Sequence, residues 1–216
     1  MSKFSTFAMT APTRHRLYAI LGALLAAPLL LSGCASSSQS TSAYDFGPVP
    51  GLATPASQHP LPSIIVADVS GPASLDTERM HYRLLYADAH QARPYAYNQW
   101  SNPPLQLLTQ RIKTRIAQAG VKVLSATDAA ASITLLRIEV DDFAQNFDSV
   151  TRSSGHIGLR ASVFRGHKLV DQKSFERSSL APTPDAAGGA HALADSSDAL
   201  AGDILAWLAA LPLQKD

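Results

Sequence analysis

The chain has 216 residues, of which 16% are charged, and a formal net charge of +1. A balance so near zero excludes the strongly basic face that nucleic acid needs. The single cysteine, Cys34, excludes a disulfide framework and a thiolate metal site. In chain order, the first 33 residues hold Lys3, Arg14 and Arg16, no acid, and an uncharged apolar run from Leu17 to Leu31. A basic start, a short apolar core and small residues at its end describe a secretory signal. A bilayer crossing needs about 20 apolar residues, more than this run offers.

The run closes on Leu31-Ser32-Gly33-Cys34, which resembles the lipobox of bacterial lipoproteins. The resemblance implies diacylglycerol transfer to the Cys34 thiol, cleavage before Cys34 and acylation of the new amine. The alternative for a free cysteine is a buried, inert thiol. The polar run that follows Cys34 is not one a core would hold. Several acyl chains at ~0.8 kcal/mol per buried methylene make a permanent anchor, whereas one alone is marginal. Ala35 stands where an inner-membrane retention aspartate would, which by the same resemblance implies outer-membrane delivery. Loss of residues 1–33 takes three basic residues from 18, leaving 15 against 17 acidic ones and a charge of about −2.

Residues 34–60 read as a flexible tether. Ala35 to Ala43 are small and polar, and five prolines from Pro48 to Pro62 exclude helix and central strand. Tyr44-Asp45-Phe46-Gly47-Pro48 interrupts the tether with two aromatics. A coil of 27 residues spans ~30 Å root-mean-square. The folded domain is expected over 61–212, with a tail at 213–216.

That domain opens on Ser63 to Val69, β-branched and strand-like, stopped by Ser70-Gly71-Pro72. Met80 to Tyr86 alternates as a second strand. Ser101-Asn102-Pro103-Pro104 starts a helix whose buried stripe is Leu105, Leu108, Ile112, Ile116 and Ala119, and Gly120 caps it. Val121 to Leu124 is a short strand. Leu136, Ile138 and Val140 alternate with charges, and the phase shift to Phe143 predicts a bulge near Asp142. Ile157 to Val163 alternates most cleanly and turns at Arg165-Gly166-His167-Lys168 into a hairpin partner, Leu169 to Arg177. Thr183-Pro184-Asp185 and Gly188-Gly189 form a loop or a frayed helix start. A last helix presents Leu193, Leu200, Ile204, Trp207, Leu208 and Leu211, and Pro212 closes it. The expected fold class is α+β: a single mixed or antiparallel sheet of about five to six strands, covered on one face by two long helices.

Chemistry-bearing residues have structural explanations throughout. His156 and His167 flank a hairpin strand and read as solvated. His81 and His90 lack the spacing of a zinc site. Asp141 and Asp142, adjacent on a strand, point to opposite faces and form no acid/base pair. No phosphate-cradling loop, dinucleotide fingerprint or nucleophile elbow is present. A hydrolase would need a titratable cluster that the sequence does not announce; the expectation is no enzyme, no cofactor and no metal. The segment His81–Trp100 instead gathers Tyr82, Tyr86, Tyr95, Tyr97 and Trp100 within twenty residues. Such side chains favour contact surfaces, or pack the sheet beneath the first helix. Tyr82, Arg83, Tyr86, Tyr97 and Trp100 are the partner-docking candidates.

The order of these motifs resembles the ABC-type transport auxiliary lipoproteins, companions of mammalian-cell-entry (MCE) domain transport systems that include the paraquat-inducible C-type lipoproteins. The resemblance rests on the lipobox, Tyr44 to Pro48, Val-x-Gly-Pro-x-x-Leu-Asp from Val69 to Asp76, and Tyr82-Arg83. It continues through Tyr97 to Leu105, Phe175 in the last strand and Ala206-Trp207-Leu208. Gln99 stands where family members commonly carry arginine, so no role of that arginine is carried over. The resemblance implies a non-catalytic, lipid-anchored subunit at the outer membrane, facing the periplasm. Its partners would be an MCE protein and an inner-membrane ABC transporter moving phospholipid or another hydrophobic solute. A ring or other homo-oligomer suits a conduit collar. The alternative of the same size is an envelope-assembly or chaperone lipoprotein of the outer membrane.

Overall fold

The computed structural model describes residues 40–51, 61–124 and 133–213. Cys34 and the signal segment lie outside them. The elements are β1 (Ser42–Tyr44), β2 (Ile64–Val66), a 3₁₀ turn (Ala73–Leu75), β3 (Arg79–Leu84), β4 (Asp88–Trp100) and α1 (Pro104–Gln118). They continue with β5 (Val123–Leu124), β6 (Thr134–Ser149), β7 (Arg152–Arg165), β8 (Lys168–Leu180) and α2 (Ala186–Ala210).

The class is α+β, as expected, but among the described residues the sheet has eight strands rather than five or six. The 16-residue β6 is its spine. β7 pairs antiparallel along the full length of β6, and β8 follows as a long hairpin. On the other side β2 pairs parallel with the first half of β6 and β3 with the second. β5 lies beyond β2; β4 and then β1 lie beyond β3. The register slips at Asp141, between Val140 opposite Leu159 and Asp142 opposite Gly158. That is the bulge the sequence predicts, and it lets Val140 and Phe143 both face the core.

Both helices contribute to one apolar core with a single face of the sheet. Ile157, Leu159, Ala161 and Val163 of β7 are buried there with Leu193, Leu200 and Ile204 of α2 and Leu108, Ile112 and Ile116 of α1. Gly155 has no room for a Cβ, which would strike the α2 backbone at Ala192–Leu193, so α2 rests directly on β7. Gly188 and Gly189, expected in a loop or at a helix start, lie inside the first turn of α2, where a side chain has no room either. A Cβ would meet Thr183 at one and Gln145 at the other. Asp185 caps this helix by accepting from Gly188 N at 2.8 Å. The expected Ser101 or Asn102 cap on α1 is absent: Pro103 is the N-cap, with Pro104 in the first turn. Gly120 follows the helix at φ +84°, and Gly166 opens the two-residue β7–β8 turn at φ +58°.

Two boundaries change. The tether assigned to 34–60 gives up residues 42–50 to the fold. Phe46 is buried between Trp100 and Phe143, at 5.7 and 6.2 Å between ring centroids. Proline content argued for a loose lead, yet a large aromatic outweighs it by its buried area. The tail assigned from residue 213 likewise loses Leu213, which is buried in the core.

Candidate functional site

Of the five docking candidates, the structure does not make one surface. Trp100 is 1% exposed, edge-on to Phe46 and Phe143, each at 5.7 Å, and so belongs to the core rather than to a contact face. Its position at the end of β4, bonded from its backbone N–H to Glu78 O, fixes it there. Tyr82 is half-buried, 4.6 Å from the Tyr95 ring and 5.8 Å from Phe147. Tyr95 donates its hydroxyl to Gln145 Oε1 at 2.8 Å. Burial, with Tyr82 and Asp185 nearby, holds the Tyr95 hydroxyl well above its ordinary pKa. Gln145 passes the network on to Ser153 Oγ and Asp185 O. Tyr86 and Tyr97 are each about half exposed, one in the β3–β4 turn and the other near the far end of β4.

Arg83 lies on the face of the sheet away from the helices. Its Nη1 donates to both oxygens of Asp142, at 2.8 and 3.0 Å. A hollow of about 150 Å³ lies beside this pair, lined by His81, Arg83, Asp141, Asp142, Leu75 and Phe143. The bulge turns Asp141 and Asp142 onto the same hollow, contrary to the expectation of opposite faces. Burial lowers the His81 pKa, and the charges of Arg79 and Arg83 lower it further. His156, expected to be solvated, is half-buried, with Nε2 3.8 Å from Asp142 and 3.6 Å from Glu176. No group of three metal-ligating side chains occurs among the described residues.

The strongest polar constellation was not read from the sequence. Arg111 and Arg115, four apart on α1, converge on Asp198 of α2. Arg115 contacts both Asp198 oxygens, at 2.7 and 2.6 Å, and Arg111 Nε lies 2.8 Å from Oδ1. Their side chains are 10%, 4% and 16% exposed for Arg115, Arg111 and Asp198. The bond from Asp198 raises the Arg115 pKa further. The remaining guanidinium N–H groups reach the N-terminal lead. Arg111 donates to Phe46 O and Gly47 O at 2.8 and 3.1 Å, and Arg115 donates to Pro50 O at 2.8 Å. Asp45 shapes the turn by accepting from Gly47 N at 2.7 Å, with Gly47 at φ +63°. One signal was available: two like charges at i and i+4 repel unless an anion lies between them. The result is a clasp that fixes where the lead leaves the domain.

No helix among the described residues is long and apolar enough to cross a membrane. The fold is shared with a protein of the DUF330 family from Xanthomonas campestris. That match has a TM-score of 0.62 at 18% identity over 71% of this chain and 88% of that one. It is also shared with an uncharacterized protein at a TM-score of 0.58 and 14% identity, over 78% and 99% of the two chains. Identities this low speak for the fold alone. No curated protein matches the sequence. The family model for the ABC-type transport auxiliary lipoprotein component matches residues 44–205, from the lead strand to the last turns of α2, and the chain belongs to that family.

Proposed function

We propose that the protein is a non-catalytic subunit of an intermembrane transport system, held by acyl chains on Cys34 at the outer membrane and facing the periplasm. Its partners are an MCE-domain protein and an inner-membrane ABC transporter, and the cargo is phospholipid or another hydrophobic solute. The observation that carries the reading is the placement of a lipobox cysteine eight residues ahead of β1 in a chain of the auxiliary lipoprotein family. So short a lead keeps the domain beside the membrane, where its effective concentration toward a membrane-bound partner is high. Of the docking candidates Tyr86 and Tyr97 remain exposed, and Tyr97, near the far end of β4, is the one assigned to the protein partner.

Cys34→Ala tests the anchor. The variant should lose fatty-acid label, move to the soluble fraction and fail to recover an MCE protein from detergent-solubilised envelopes. Its thermal unfolding should be unchanged, because the folded domain begins at Ser42. An alanine form that stays membrane-bound and supports transport would refute the anchored role. Recovery of barrel-assembly components in place of an MCE protein by the unaltered chain would refute the assigned partner.

A further inference from the structure

Four of the exposed large apolar side chains, Leu85, Tyr86, Val150 and Leu180, lie at one end of the sheet. Leu85 N donates to Phe147 O, Phe147 is paired with Ser153, and Ala181 N donates to Ser153 O. Leu85, Phe147, Ser153 and Ala181 thus form one rung across β3, β6, β7 and β8. Tyr86 follows Leu85 in the β3–β4 turn, Val150 lies in the β6–β7 turn, and Leu180 immediately precedes Ala181. Three strand spacings make this apolar tip about 15 Å wide. Val150 is 70% exposed and Leu180 63%, apolar surface whose removal from water would be favourable. The nearby charges, Asp148 paired with Arg152 at 3.8 Å and Asp88 across the turn, give the tip no basic excess.

The direction of β1 points its N-terminal end toward this tip. β4 begins at Asp88 beside the tip and runs away from it. β1 runs parallel to β4, with Ser42 opposite Asn98, so β1 is entered from the tip's side. Eight residues separate Cys34 from Ser42, a reach of at most about 26–29 Å. The ten residues from Asn98 back to Asp88 span about 33 Å. At full reach an acylated Cys34 could come no nearer the tip than a few ångströms short of the level of Asp88, and the tip lies past that level. We infer that Leu85, Tyr86, Val150 and Leu180 rest in the interfacial layer of the membrane that takes the acyl chains. The surface would be a lipid contact carried by apolar area rather than by charge, with Tyr86 placing its ring among the acyl chains and its hydroxyl among the headgroups. This inference rests on the lipid anchor proposed above.

Cys34 is the chain's only cysteine, so an added one can be labelled alone in the acylated protein. The probes are V150C, L180C and, as control, L169C, which is exposed at the opposite end beside the Gly166 turn. Each carries a fluorophore and is reconstituted on vesicles of phosphatidylethanolamine and phosphatidylglycerol containing a brominated phospholipid. Quenching several-fold stronger at 150 and 180 than at 169 is expected. Equal quenching at the three positions, or none at 150 on protein that sediments with the vesicles, overturns the inference and leaves the anchor standing. Protein that stays in the supernatant overturns the anchor and the inference with it. Shielding of position 150 that follows protein concentration and not lipid overturns it in favour of a second copy.

Discussion

The molecule sets the same pair of ions in two solvents. Arg111 and Arg115 meet Asp198 between two helices, with all three side chains at least five-sixths buried. Arg83 meets Asp142 on the other face of the sheet, with the two side chains 26% and 33% exposed. The N···O distances are alike in both, although Arg111 Nε faces Asp198 without hydrogen-bond geometry. What differs is the alternative open to each charge once its partner is gone. Water can take over for Arg83, but not for a guanidinium enclosed between α1 and α2. The buried pair also spends its remaining donors on the carbonyls of Phe46, Gly47 and Pro50. It therefore joins three parts of the chain, where the outer pair joins two strands that backbone bonds already hold.

Asp198→Ala should break that comparison most severely. Two buried cations would lose their anion, a cost of about 3–5 kcal/mol by urea unfolding. Proteolysis should also open first around residues 45–50. A loss below 1 kcal/mol would mean that water already enters the clasp. A triple change, R111M with R115M and D198L, sharpens the point. Apolar groups of like volume in place of a whole buried network are often neutral or stabilising. The global stability of the triple variant should therefore return close to that of the parent. The carbonyls of Phe46, Gly47 and Pro50 would still lack donors, so amide exchange over 45–50 should stay fast. If exchange there remained slow, Phe46 packing alone would hold the lead, and the arginines would serve only the helix pair.

What the sequence made legible follows the range of each interaction. The stripe of α1, the alternation of β7, the Gly166 turn and the bulge beside Asp142 are local patterns, and each was predicted from neighbouring residues. β4 was missed because its outer side is free from Asp88 to Tyr97, so neither face carries an apolar alternation, and Pro94 reads as a strand breaker. A free edge is where a strand tolerates proline. β1 is three residues long, too short to display an alternation. Its evidence lay 56 residues away, in the pairing with Asn98 to Trp100. The docking residues failed for a related reason. Aromatic clustering shows that side chains are valuable but not which way they point, and Trp100 and Tyr86 differ only in what the fold brings to them. The clasp spans 83 residues between Arg115 and Asp198, a distance over which sequence spacing carries no information.

Asp185 lies between the two ion pairs in its expected effect. Its carboxylate accepts from Gly188 N first and from the Thr183 hydroxyl second, and these bonds hold its pKa below the ordinary value. Asp185→Ala should cost about 1 kcal/mol at neutral pH. A depressed pKa means that the unfolded chain takes up its proton first as pH falls. The contribution is therefore complete above the ordinary carboxyl value, near 3.8, and disappears as pH drops through the lower folded value. Urea unfolding at pH 7 and pH 3 should show the gap between parent and alanine variant closing in acid. Asp185→Asn keeps an uncharged acceptor for Gly188 N, so its gap from the alanine variant should not depend on pH.

Arg83→Ala should have the smallest effect, under about 1 kcal/mol, because its pair with Asp142 is open to solvent and to salt. The change is better read at His81. Burial is the first cause of that residue's lowered pKa, and the charges of Arg79 and Arg83 add to it. Below the ordinary value of 6.5 the unfolded chain thus binds a proton that the folded one refuses, and stability falls as pH falls. Removing Arg83 takes away one opposing charge but neither the burial nor Arg79. The His81 resonance should therefore titrate higher in the variant than in the parent, yet still below 6.5, and the acid-side loss of stability should shrink in step. An unchanged His81 titration would mean that water in the hollow screens Arg83 from the ring. The outer pair would then be as electrostatically idle toward its neighbours as it is expected to be toward the fold.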